Sequence, residues 1–225
     1  TQAKTLFPYT TLFRSTPVLY FTRWITHLCA PTFVFLSGLS IYLQSTRKTK
    51  AELSLFLFKR GLWLIFVEIC LISLAFTFNP SYNFIILQVI WAIGISMILL
   101  GFLCRLPYKV VLAIGLVIVL GHNVLDFWEA APGFKAGFWW DLFHHGLFAV
   151  YPIVGDHHLI IMYPFVPWTG LMILGYCFGV FFTAKFTSTE RQKILTRIGS
   201  FLLVFFVVLR AINVYGDPHP WTTQA

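Results

Sequence analysis

Charge is what this sequence has least of. Only 24 of its 225 residues are charged, and of these just 8 are acidic. A water-soluble domain of this size needs a far more charged surface, so that class is excluded. The four cysteines, Cys29, Cys70, Cys104 and Cys177, stand singly in or beside apolar runs. No CxxC and no Cys/His metal spacing is present, which argues against a disulfide framework, a zinc ribbon or a redox pair and leaves them as small packing residues. No internal repeat of inverted type is visible, which weighs against a transporter built from two halves.

What is present in excess is apolar: 58% of residues are hydrophobic, 25 are Phe, and the mean hydropathy is +0.80. The fold class this implies is all-α, a polytopic transmembrane bundle in the lipid bilayer. The net charge of +8 does not point to nucleic acid, because the basic residues lie in short clusters between apolar runs.

Thr5 to Ser15, TLFPYTTLFRS, matches the translation of a common sequencing adapter and is set apart from the fold. On this reading residues 1–15 are artefact, and residues 16–225 are part of a longer transmembrane domain. Six spanning helices are expected, at Phe21–Leu43, Leu53–Phe78, Phe84–Cys104, Tyr108–His122, Leu159–Phe182 and Leu195–Tyr215. Outside the leader, all Lys and Arg except Arg23, Lys135 and Arg210 fall in connections or helix ends on one side. That side is cytoplasmic by the positive-inside rule. The long segment Asn123–His158 is then extracytoplasmic, with its aromatics Phe127, Trp128, Trp139, Trp140 and Phe143 suited either to an interfacial lid or to a simple aromatic belt. Its histidines His144, His145, His157 and His158 are expected to be solvated loop residues, and no metal is expected.

The same topology gathers costly polar side chains at the outer helix ends. His27 follows Arg23 by one turn and precedes Pro31 by one turn; Gln88 and Trp91 begin the third helix; His122 and Asn123 close the fourth. Tyr163 and Trp168 open the fifth, with Pro167 expected to kink it as Pro31 kinks the first. Arg210, Asn213 and Asp217 share one face at the end of the sixth. Such residues at membrane depth face a bundle interior or a water-filled path, so one outer cavity is expected. Glu68, an acid near the middle of the second helix, must be neutral or paired, with Arg210 or Arg23 as nameable partners.

The stretches ITHLCAPTFVFLSGLSIYL, KRGLWLIFVE, LQVIWAIGISMILL, YPFVPWTGLMILGYCFG and RAINVYGDPHPW together resemble, in order and spacing, the bacterial multi-pass proteins grouped with the catalytic domain of heparan-α-glucosaminide N-acetyltransferase. The resemblance covers Phe21 to Trp221. It implies a bacterial inner-membrane acyltransferase that takes an acyl group, acetyl first, from cytoplasmic acyl-CoA and passes it to a sugar or glycan on the far side. The family's first helix, with an Arg-Gly motif and often an Asp-His pair, is expected to be missing ahead of residue 16, and further helices are expected after Trp221.

Under that resemblance His27 is the base or acyl relay. Arg23 and Arg210 hold anionic groups, and Asn213 or Gln88 donates to the oxyanion. Lys59, Arg60 and Arg105 attract the CoA phosphates from the cytoplasm. Trp91, His122, Tyr163, Trp168 and Asp217 line the acceptor cavity. The competing reading is a transporter or a membrane subunit without chemistry that uses the same polar cavity, and a haem held by His27 and His122 is a poorer third. A homo-oligomer is compatible with all of these.

Overall fold

A computed structural model describes residues 22, 25, 26, 28–145 and 148–212, with the side chain of Arg210 outside the description. Arg23, His27, Asn213 and Asp217 lie outside the described residues. The chain divides into two units, residues 1–33 and 34–225. In the first, the Leu28 carbonyl accepts from the Thr32 hydroxyl at 2.7 Å.

Helix α1 spans Cys29–Ser45, so Pro31 falls in its first turn, where the missing N–H costs nothing. Helix α2, Lys50–Val67, starts at a capping box: Thr49 accepts from the Glu52 N–H while Glu52 accepts from the Thr49 N–H. It runs into a π-helical turn, Glu68–Ile72, and a last short helix α3, Ser73–Thr77. The wider turn frees backbone groups, and side chains take them up. The Ser73 hydroxyl donates to the Glu68 carbonyl at 3.1 Å, and the Tyr82 hydroxyl donates to the Cys70 carbonyl at 2.6 Å.

After strand β1, Phe84–Leu87, come α4 (Val89–Leu103), α5 (Tyr108–Gly121) and two short helices, α6 (Val124–Glu129) and α7 (Phe138–Phe143). Strands β2 (Ala149–Val154) and β3 (His157–Ile161) precede α8 (Phe165–Phe178), a 3-10 turn (Gly179–Phe182) and α9 (Ser188–Ile212). The sheet order is β1-β3-β2, with β3 parallel to β1 and antiparallel to β2.

The all-α expectation is therefore corrected to a mostly helical fold with a three-stranded sheet. FIIL of β1 and Leu159–Ile161 of β3 fall in the expected third and fifth spans. Short apolar runs rich in β-branched residues read alike as buried helix or strand, and pairing partners decide between them. Among the described residues, three helical stretches are long and apolar enough to cross a membrane: Tyr108–Glu129, Phe165–Phe182 and Ser188–Leu209. Apolar α4 is shorter because β1 takes the residues expected to begin it.

The core lies where α2, α4, α5 and α8 pack, around Leu53, Leu57, Met97, Leu100, Val111, Met172 and Ile173. Helices α1 and α8 touch backbone to backbone. A Cβ on Gly38 would sit 2.0 Å from the Met172 carbonyl oxygen, and one on Gly175 would sit 2.0 Å from that of Phe35. This close crossing through small residues suits helices that cannot rely on expelling water between them. Helix α9 buries none of its described side chains.

Candidate functional site at the outer helix ends

Glu68 is fully buried at the start of the π-helical turn. Its Oε1 accepts from the Gln88 N–H at 2.7 Å, and the Trp91 backbone N–H faces the same carboxylate. Gln88 is the N-cap residue of α4, and its own side chain makes no capping bond. The carboxyl group of a neighbouring helix thus does the capping, its Oε1 accepting at the start of α4. The cations named from the sequence, Arg23 and the Arg210 side chain, lie outside the described residues. Its partner is backbone, 20 residues away. Glu68 Oε2 and the Trp91 indole Nε1 are both buried without a hydrogen-bond partner among the described residues.

Antiparallel packing brings other expected residues to this end. The Leu87 carbonyl accepts from the N–H groups of Met162 and Tyr163 at 3.0 and 3.3 Å, which ties the start of α4 to the entry of α8. Tyr163 packs on Trp168 with ring centroids 5.1 Å apart. Gly170 meets Ile118 and Val119, and Gly115 meets Ile173, so α5 runs against α8 with His122 level with its first turn. Pro167 lies in the first turn of α8, so the kink expected there does not form. Below this level the hydroxyls of Ser96 and Thr169 form a buried pair at 2.9 Å.

His122 Nδ1 lies 3.0 and 3.1 Å from the carbonyls of Ile118 and Val119. Carbonyls only accept, so Nδ1 carries a proton. In the neutral ring Nε2 then holds the lone pair, the form a general base or metal ligand needs. Gln88, Trp91, His122, Tyr163 and Trp168 thus share one end of the bundle.

Next to this end lie α6, α7 and the β2–β3 hairpin, the segment read from the sequence as a lid or an aromatic belt. His144 is buried, contrary to the expectation of solvated loop histidines, and its Nε2 lies 2.9 Å from Asp126 Oδ1. His145, exposed, places Nδ1 2.5 Å from Glu129 Oε2, and the Trp140 indole N–H donates to Glu129 Oε1. The His122 and His144 rings stand 6.2 Å apart. Asp141 is buried and accepts from the Tyr151 hydroxyl. Burial first, and then the Asp141 carboxylate, push the Tyr151 phenol up to about 12. His157 is exposed and donates through Nδ1 to the Tyr82 carbonyl at 2.9 Å.

A family model described as heparan-alpha-glucosaminide N-acetyltransferase, catalytic, matches residues 8–210. The chain belongs to that family. No curated protein and no solved structure matches it.

At the opposite end of this N-acetyltransferase-family bundle, Arg105 donates to Ser54 Oγ at 3.2 Å, and its carbonyl accepts from the Lys50 ammonium at 3.1 Å. A cavity of about 210 Å³ lies between Ser54, Phe58, Ile98 and Arg105. Lys59 and Arg60 are exposed on α2, roughly 8–9 Å further along its axis than Ser54. The three cations expected to act together are therefore staggered rather than clustered. An apolar groove of about 500 Å³ opens between Phe35, Tyr108, Leu116, Phe178 and Leu202.

Sequence reasoning missed the carboxylate–imidazole cluster of the lid and the Ser96–Thr169 pair. For the cluster a signal exists: Asp126 and Glu129 stand three apart on a helix, hence on one face. The buried hydroxyl pair joins two helices 73 residues apart and has no local signature.

Proposed function

We propose that the chain is the membrane part of an acyltransferase that moves an acetyl-type group from cytoplasmic acyl-CoA to an extracytoplasmic sugar or glycan, in a bacterial inner membrane crossed several times. The observation that carries this reading is the family match over residues 8–210. Polar side chains collected at the outer end support it, since intramembrane polar groups that share one end serve a site more often than they face lipid.

In the reaction, an acceptor N–H or O–H loses its proton to a histidine as the heteroatom attacks the thioester carbonyl. The C–S bond then breaks, and the CoA thiolate leaves and takes up a proton. His27 keeps the role of base or relay, with Arg23 and Arg210 on anionic groups and Asn213 or Gln88 as oxyanion donors. His122 joins them as a second proton acceptor, because its Nδ1–H is already committed to carbonyls. Trp91, Tyr163, Trp168 and Asp217 line the acceptor site, and Arg105, with Lys59 and Arg60, draws the CoA phosphates toward the inner face.

The test is transfer of labelled acetyl from acetyl-CoA to a panel of amino sugars and glycans by the chain in liposomes. Transfer that falls by about 10²-fold or more in His27→Ala or His122→Gln supports the respective assignment. Solute uptake with no acetyl-CoA turnover would replace the enzyme reading with the transporter one.

A further inference from the structure

Two carboxylates and two imidazoles converge in the lid without any of them being needed for the reaction above. Asp126 and Glu129 project from one face of α6, and His144 from the C-terminal cap of α7, where its N–H bonds the Trp140 carbonyl at 2.8 Å. Ligand atoms of Asp126, Glu129 and His144 all lie within 4.8 Å of one another. The fourth group, His145 Nδ1, is 2.5 Å from Glu129 Oε2.

Without a cation, this arrangement holds two like-charged carboxylates side by side on a six-residue helix. A divalent ion removes that repulsion. Tetrahedral zinc with bonds of about 2.0–2.2 Å sets neighbouring ligand atoms roughly 3.3 Å apart; the His144–Asp126 pair at 2.9 Å is near that spacing, and the widest pairs, within 4.8 Å, would close by up to about 1.5 Å. His144 has only 3% of its side chain exposed, and its Nδ1 has no partner among the described residues. Coordination through Nε2 puts the ring proton on Nδ1, which has no acceptor among the described residues. The Trp140 indole N–H on Glu129 Oε1 supplies the outer hydrogen bond that orients a ligating carboxylate while leaving Oε2 available.

We propose that Asp126, Glu129, His144 and His145 form a zinc site that staples α6 to the end of α7 and sets the lid over the outer helix ends. Four protein ligands close the coordination shell, which makes the site structural rather than catalytic. Of the candidate metals, zinc fits best: a mixed imidazole and carboxylate set of four is too nitrogen-rich for calcium or magnesium.

The full chain, purified in detergent and stripped with EDTA, is titrated with zinc chloride against a chromophoric chelator, and bound metal is counted by mass spectrometry. About one zinc per chain is expected. Asp126→Asn and Glu129→Gln, which preserve shape, are expected to weaken binding by roughly tenfold or more, and Trp140→Phe by about 10–100-fold. Circular dichroism on each variant confirms that helix content is kept. Zinc binding that is absent from the wild type, or equal in wild type, Asp126→Asn and Glu129→Gln, overturns the site and leaves two histidine–carboxylate ion pairs.

Discussion

Replacing Glu68 tests whether one helix is capped by its neighbour. Glu68→Ala removes the acceptor of the Gln88 N–H at the start of α4, and it hollows a fully buried position. Loss of a cap costs about 0.5–2 kcal/mol, and an unsatisfied buried donor costs about 1–3 kcal/mol. These two terms overlap, because they describe the same N–H, so a total of about 2–4 kcal/mol is expected once a modest cavity is included. Glu68→Gln keeps an acceptor oxygen for Gln88. Its expected cost is therefore smaller, about 1 kcal/mol or less. Reversible unfolding of the chain in mixed micelles gives both numbers, and amide hydrogen exchange over 84–92 gives the location. Faster exchange at Gln88 and Trp91 should accompany the Ala variant. Equal stability of Glu68→Ala and wild type, with unchanged exchange at Gln88, would refute the capping argument.

Two further outcomes follow from packing and from titration. Gly38→Leu places a side chain where even a Cβ would meet the Met172 carbonyl at 2.0 Å, so α1 and α8 must part; a loss of about 3 kcal/mol or more is expected in the same unfolding assay. The Tyr151 phenol is raised to about 12 in the folded chain against an ordinary 10, so the folded state holds its proton more tightly. That contribution is complete below about pH 10 and is lost as pH rises toward 12. The melting temperature of wild type should therefore fall between pH 10 and 12 more steeply than that of Tyr151→Phe, and parallel curves would refute it.

Much of the helical part was legible because its signals are local. The span expected at Tyr108–His122 is the helix Tyr108–Gly121, bounded by Pro107 before it and the His122 turn after it. The strands were not legible, because β1 finds its partner beyond two long helices and nothing in FIIL announces that. Pro167 was misjudged because α8 starts later than the apolar run does, which turns a mid-helix proline into a first-turn one. Glu68 was recognised as needing a partner; among the described residues it has the backbone N–H of Gln88, 20 residues away, which no local signal announces. The structure brings Gln88, Trp91, His122, Tyr163 and Trp168 to one end of the bundle; that they line a site belongs to the proposal. His144 escaped because its burial depends on Asp126, 18 residues earlier.

The parallel pairing of β1 with β3 imposes an order on the birth of the molecule. Phe84 registers with His158 and Leu87 with Ile161, so β1 emerges from the ribosome more than seventy residues before its mate. At about 5–20 residues per second, roughly 4–15 s pass between the two. Through that interval the β1 backbone lacks its β3 partner. Delivery of the segment up to Ile161 is the act that closes the sheet. This end of the bundle therefore matures as a unit, late and all at once, and a nascent chain halted before residue 157 would present an open strand edge.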